Sequence, residues 1–323
     1  MKKVSFAVAA MVVTGLGLAS ASAADLPKKY VKAPVVEAFN PWDLAFGAAV
    51  MSDYVFRGVT QTNHGPGVTA YFEPRYNFTK DLQAYVGTSF ENVSFANRAA
   101  GEVDIYGGIR PTFGALAFDF GVWGYLYPGG QCANGTAGIS AGSCSANGSN
   151  IYIFNGNVLK KDVSFYEAYA KATWNVNDNL AIGGNYFYSP NFLNFGFDSS
   201  YASITAKWIT PNFMPWGIGS YVSGEYGHQW LGTTDSFYGN VTLKDYNTWN
   251  VGVGFTKSVF TLDLRYSGTD MSKGDCNALT SDWKTTQTGY VTPANSSGYG
   301  SNWCGDTFIA KLGFDLTAAS NLK

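Results

Sequence analysis

The chain has 323 residues, of which 46% are hydrophobic, 16% aromatic and only 14% charged, with 38 glycines and a formal net charge of −2. Ordinary soluble domains carry about 25% charged residues, so this chain is short of the groups that hold a surface in water. Without a basic excess it also lacks the electrostatic footprint of a nucleic-acid binder.

Met1, Lys2 and Lys3 precede an apolar run from Val4 to Leu18, and Ala21, Ser22 and Ala23 follow with the small-residue spacing of a signal-peptidase site. Residues 1–23 read as a secretory signal peptide cut before Ala24, the alternative being an uncleaved anchor. Its removal takes two lysines and no acid, leaving a formal charge of −4. Residues 24–41, polar and carrying Lys28, Lys29 and Lys32, read as a periplasmic lead-in without a fold of its own.

From Trp42 to about residue 316 one pattern repeats: roughly ten residues with every second side chain apolar, then a turn. A strand sends alternate side chains to opposite faces, so each segment has an oily and a wet face. The first segment, residues 42–57, puts Leu44, Phe46, Ala48, Val50, Tyr54 and Phe56 on one face and Asp43, Asp53 and Arg57 on the other. Residues 68–78 set Phe72 and Tyr76 against Tyr71, Glu73 and Arg75; residues 82–92 set Leu82, Val86 and Phe90 against Gln83, Tyr85, Ser89 and Glu91. Residues 102–113 oppose Val103, Ile105 and Ile109 to Glu102, Asp104, Tyr106 and Arg110, and residues 116–127 oppose Phe118, Phe120, Val122 and Leu126 to Asp119, Trp123 and Tyr125. After a long loop, residues 163–176 turn Glu167, Tyr169 and Lys171 inward. Segments follow at 180–188, 201–210, 218–229, 246–256, 259–269 and 307–316, leaving 317–323 as a tail.

Connections alternate between short turns near 80, 115, 178, 213 and 258 and longer loops near 62, 97, 145, 195, 238 and 290. Twelve strands with that alternation predict a transmembrane antiparallel up-and-down β-barrel, short turns and both termini on the periplasmic side, in the outer membrane of a Gram-negative bacterium. A closed sheet is how such a chain satisfies its backbone in lipid. Trp42, Phe78, Trp174 and Trp208 fall at the short-turn ends, and Tyr54, Phe56, Phe90, Tyr188, Trp249 and Tyr266 at the long-loop ends, the two aromatic girdles of a membrane barrel. A soluble sandwich with aromatics on its core is the alternative.

Cys132, Cys144, Cys276 and Cys304 all lie in polar loop stretches. An exported chain predicts disulfides, and the lowest closure entropy favours Cys132 with Cys144 and Cys276 with Cys304. No ligand spacing supports a metal site, and no cofactor is expected.

The run Ser52-Asp53-Tyr54-Val55-Phe56-Arg57-Gly58-Val59-Thr60-Gln61-Thr62 resembles the opening motif of the TorF family of proteobacterial porins, which has S-D-Y, an aromatic-Arg-Gly, then S/T-Q. Phe165 to Tyr169, Tyr188-Ser189-Pro190, Tyr246 to Trp249 and Leu264-Arg265-Tyr266 with Thr269-Asp270 look like later segments of that family. The resemblance implies an outer-membrane barrel. The cysteine-bearing loops and the polar tail after Phe314 depart from the pattern.

The wet face collects Asp53, Glu73, Glu91, Glu102, Asp104, Asp119, Glu167, Glu225 and Asp263 against Arg57, Arg75, Arg110, Lys171, Lys207, Arg265 and Lys311. These charges either set up a transverse field that orients solutes or neutralise one another in same-face pairs. Their slight acidic excess leads to an expectation of weak cation preference. Tyr71, Tyr85, Tyr106, Trp123, Tyr125, Tyr169, Phe187, Tyr201, Tyr221 and Tyr246 either form a stacking path or fill space. The expected function is passive passage of small polar solutes or ions through a lumen narrower than that of general porins. The alternatives are a structural or adhesive barrel with a plugged lumen and stapled external loops, and a lipid-modifying barrel enzyme. An enzyme needs a nucleophile and a base together. His228, with Ser220 and Asn250 as polar neighbours, has no nucleophile at working spacing, so no enzyme is expected. Outer-membrane lipid and small solutes are the expected partners, with the oligomeric state left open.

Overall fold

The computed structural model describes residues 40–134, 150–211 and 214–321. Twelve strands form the wall: β1 (Trp42–Met51), β2 (Gly67–Thr79), β3 (Leu82–Glu91), β4 (Glu102–Phe113), β5 (Leu116–Leu126), β6 (Phe165–Asn175), β7 (Leu180–Ser189), β8 (Ser199–Ile209), β9 (Gly219–Trp230), β10 (Tyr246–Lys257), β11 (Phe260–Thr269) and β12 (Thr307–Thr317). Each pairs antiparallel with its sequence neighbours, and β1 closes on β12 with Phe46 opposite Leu316 and Val50 opposite Leu312. Among the described residues no helix is long and apolar enough to cross a membrane. The transmembrane barrel crosses with strands.

The two-residue periodicity explains the wall. Val86, Ile105, Ile109, Val122, Ile204 and Val251 stand exposed on its outside, while Glu73, Glu102, Glu167 and Gln229 are almost fully buried within. Exposed apolar groups in a continuous outer band are unfavourable in water and at home in lipid. Trp42, Trp174 and Trp208 stand exposed at the short-turn rim, and Tyr188, Tyr226 and Tyr266 at the opposite rim. Inside, large rings lie across small residues on the next strand. The Tyr221 ring covers Gly254, where a Cβ would collide with it.

Most strand boundaries lie one or two residues from the expectation. The last strand reaches Thr317, and the tail starts as a short helix, Ala318–Asn321. More consequentially, β1 stops at Met51 instead of running to Arg57. Buried Asp53 accepts hydrogen bonds from the Thr60 and Thr62 hydroxyls. These draw residues 52–62 back on themselves, out of the wall and into the barrel. Asp53, Tyr54, Phe56 and Arg57 therefore belong to the first long loop, and Tyr54 and Phe56 are not girdle residues.

At the long-loop end the loops pack on one another. Val59, Tyr127, Ile151, Leu159, Val163, Phe192, Phe195, Leu243, Leu279 and Trp303 belong to one buried apolar cluster. The last loop contributes a helix, α1 (Lys273–Thr280), and the Cys276–Cys304 disulfide. The pairing expected between Cys132 and Cys144 falls on residue 144, outside the described residues.

Candidate functional site

A cavity of about 810 Å³ occupies the lumen. It reaches from Lys80, Asp81, Ser258 and Asn321 at the short-turn end to Val55, Phe56, Arg57 and Gly58 of the first loop. Those four residues belong to a small ribbon in which Val55 pairs with Thr60 and Phe56 with Val59. Arg57 and Gly58 both take positive φ, 46° and 78°, the geometry of a tight hairpin turn. A Cβ on Gly58 would strike Thr269 and the Gly268 carbonyl of β11, so the turn admits only glycine there.

The ribbon crosses the lumen. Arg57 Nη1 and Nη2 donate to Glu167 Oε1 and Oε2 on β6 at 2.9 and 2.7 Å, and Nη1 also donates to Gln229 Oε1 on β9 at 3.0 Å. Its guanidinium lies 4.4 Å from the Tyr201 ring centre and 4.9 Å from that of Phe187, and Phe56 packs edge-on against Tyr125. A loop rooted between β1 and β2 is thus anchored to β5, β6, β7, β8 and β9 on the far wall. Behind it the loop cluster shuts the mouth: Thr60 N donates to the Trp303 carbonyl at 2.9 Å, and Trp303 Nε1 to Asn63 Oδ1 at 2.7 Å. His64 joins the same two loops, with Nδ1 at 2.8 Å from Asp53 Oδ2 and Nε2 at 3.1 Å from the Asn302 carbonyl. The hydrogen bond to Asp53 raises the His64 pKa above its ordinary value.

The remaining charges named from the sequence line the wall, and their pairings divide them. Every lumen arginine is ion-paired: Arg75 to Glu73 at 2.6 Å, Arg110 to Glu73 at 2.8 Å and to Asp119 at 3.3 Å, Arg265 to Asp263 at 2.9 Å, and Arg57 to Glu167. Lys171, Lys207 and Lys311 have neither an ion pair nor a hydrogen bond among the described residues; Lys171 and Lys207 lie over aromatic rings instead. Glu225 accepts from Tyr201 Oη at 3.2 Å and Asn250 Nδ2 at 3.3 Å. Acids gather on β2 to β5, where Glu73, Glu91, Glu102, Asp104 and Asp119 share two ion-paired arginines, Arg75 and Arg110. The free Lys171, Lys207 and Lys311 stand on β6, β8 and β12. The simple count behind the expected cation preference conceals this segregation.

Glu91, Glu102 and Asp104 come together at the loop end of β3 and β4. Glu91 is paired directly with Glu102, and ligating oxygens of all three lie within 4.8 Å of one another. Like charges directly opposite on a sheet are destabilising. Hydroxyls answer them instead of cations: Tyr54 and Tyr127 each donate to Glu102 at 2.7 Å, and Thr69 to Glu91 at 2.6 Å. This trio has the hard oxygen donors that divalent cations use, and the sequence reading named its members without bringing them together. The hairpin length was the signal, because a loop centred between 91 and 102 sets those two residues opposite.

Several lumen tyrosines are committed to carboxylates. Tyr71 donates to Asp315 at 2.9 Å, Tyr85 to Asp119 at 2.5 Å and Tyr221 to Asp263 at 2.7 Å, while Tyr106 stacks on Trp123 at 3.9 Å. His228 stands on the outer face against Trp230, its Nδ1 2.8 Å from Asn247 Oδ1. Its expected neighbours are elsewhere: Ser220 lies at the other end of β9, bonded to Thr210, and Asn250 accepts from Arg265 Nη1 at 2.5 Å in the lumen.

Residues 36–292 match the model of a family described as a bacterial protein of unknown function, Gcw_chp. The chain belongs to that family. The match carries the Gcw_chp description and not the TorF label that the motif of the first loop resembles. No curated protein matches the sequence. Among solved structures, this member of the family is similar to the COG4313 outer membrane channel from Pseudomonas putida F1, at 10% identity and a TM-score of 0.40 over 89% of this chain and 100% of that one. It is similar to OmpT, an outer membrane protein of Vibrio cholerae, at 10% identity and 0.38 over 87% and 100%, and to the NanC porin at 9% and 0.37 over 85% and 100%. Nothing about its solute follows from likenesses of that degree.

Proposed function

We propose that this protein is an outer-membrane channel of a Gram-negative bacterium that passes small polar solutes or ions passively, with its external mouth shut in this conformation. The observation that carries the reading is the cavity of about 810 Å³, lined by charged side chains, reaching the short-turn end and crossed at the loop end by a two-stranded ribbon with the loop cluster behind it. The ribbon is held by side chains on the far wall and by Thr60 N on the last loop, outside the ladder of the twelve wall strands, so it can move without unfolding the barrel. Segregated acids and lysines give such a lumen a transverse field that orients polar solutes. The alternation of short turns and long loops supports placing both termini in the periplasm, and the TorF-like motif lies in the very segment that forms the ribbon. The reading involves no catalytic step.

The test is flux. Liposomes holding the purified protein should swell in small sugars, or planar bilayers should show current steps, and the protein should fractionate with outer membranes. A specific observation favours a second reading, a plugged structural or adhesive barrel: the loop cluster behind the ribbon is buried, apolar and disulfide-stapled. Sealed liposomes under all conditions, including loss of Arg57, would establish the plug and overturn the channel.

A further inference from the structure

Lys171 lies on β6 and is 6% exposed, yet it lines the lumen cavity. Its Nζ sits 4.6 Å from the ring centre of Tyr169, 5.3 Å from that of Phe187 and 5.9 Å from that of Trp123. Asp119 faces it directly across the β5–β6 ladder, in position to neutralise it. That carboxylate is taken instead by Arg110 Nε at 3.3 Å and Tyr85 Oη at 2.5 Å. The same exchange recurs at Lys311, which is paired in register with Asp263 while Asp263 bonds Arg265 and Tyr221. An arginine takes the carboxylate at both places, through Nε alone at Asp119 and through two nitrogens at Asp263, so each lysine is left without an acid partner and with its donors unspent.

A buried ammonium without a counter-charge is costly, and the cost is relieved by an acceptor brought to it. At Lys171 the acceptor has to come from the cavity. We propose that Lys171 anchors an anion-binding site in the lumen wall, which takes a small solute bearing a carboxylate on a flat or ring-shaped body. The carboxylate would meet the ammonium, and the body would lie on the apolar faces of Trp123 and Phe187. Asn185, directly across from Lys171 on β7, spends one amide hydrogen on Ser203 Oγ at 3.0 Å and has the other to give. Arrival of the solute rests on the channel reading; occupancy of the site does not.

The experiment uses the full chain purified from membranes in detergent, with benzoate and its neutral isostere benzamide as probes in titration calorimetry. Benzoate should bind saturably, at least tenfold more tightly than benzamide, and weaken as salt is raised. Lys171→Gln should weaken benzoate about tenfold and leave benzamide unchanged. The comparison of the two probes on the parent protein needs no variant, so a misfolding substitution does not protect the idea. Equal binding of the two probes, no binding of either, or undiminished benzoate binding in the variant would overturn it. Glucose flux in liposomes without benzoate binding would remove this site and leave the channel, and binding without flux would do the reverse.

Discussion

Arg57 and Glu167 are 110 positions apart and face each other across the lumen through two parallel hydrogen bonds of 2.9 and 2.7 Å. Both side chains are nearly inaccessible to solvent. A buried pair of this kind adds little net stability, but deletion of one partner costs about 3–5 kcal/mol because the other charge is stranded. The pair therefore fixes where the ribbon sits more than whether the barrel folds.

Arg57→Gln is expected to free the ribbon. In planar bilayers the variant should show larger or more frequent current steps than the parent, while its heat-modifiable migration on gels stays the same. Glu167→Gln should act in the same direction, and the double variant should exceed neither single one, since all three break one contact. Currents that are unchanged in both single variants would mean that the ribbon does not limit flux.

His64 gives the closed mouth a pH dependence. Both ring nitrogens face acceptors, the Asp53 carboxylate and the Asn302 carbonyl, an arrangement that only the doubly protonated ring satisfies. The hydrogen bond to Asp53 raises its pKa above the ordinary 6.5. The tie is therefore fully present below that ordinary value and is lost as pH rises through the higher folded-state value. With the ring about a third exposed, solvent screening limits the contribution to about 1 kcal/mol. Backbone amides of residues 52–66 and 301–306 should exchange hydrogen about fivefold faster at pH 8.5 than at pH 6, after correction for the intrinsic rate, and His64→Gln should abolish the difference.

The wall was legible in the sequence because alternation is a direct record of two solvents. Glu102, Asp104 and Tyr106 alternate with Val103 and Ile105, and the structure puts the first set inside and the second outside. The ribbon was not legible for the same reason. Tyr54 and Phe56 continue the apolar beat of β1, and alternation alone does not distinguish lipid from the underside of a loop cluster. The departure is encoded in Asp53 with Thr60 and Thr62, whose hydrogen bonds close the loop, and in the Arg57-Gly58 turn. Charge pairing was hidden more deeply. Asp119 has Arg110 and Lys171 as neighbours on either side, and only the packed geometry reveals which it takes.

The staple in the last loop is expected to stabilise the cap and not the wall. Cys276 and Cys304 are 28 positions apart, and a loop of that size is worth about 2–4 kcal/mol when closed. Cys276→Ser with Cys304→Ser should render residues 270–306 sensitive to limited proteolysis while β1 to β12 stay protected. Unfolding of the barrel in urea should keep its midpoint. A shift of that midpoint would show that cap and wall unfold as one unit.

Val122 sits near the middle of β5, paired with Gly107 of β4 and half exposed on the outer face. If that face meets hydrocarbon, Val122→Arg introduces a charge near the bilayer midplane at a cost of about 2–4 kcal/mol. If it met water, the same change would be nearly neutral or would improve solubility. Folding into lipid vesicles should therefore be weakened by that amount in urea titrations, whereas Ala115→Arg, in the short turn between β4 and β5, should have little effect. Equal tolerance at the two positions would remove the lipid from the outer surface, and with it the reason for the apolar beat that runs through all twelve strands.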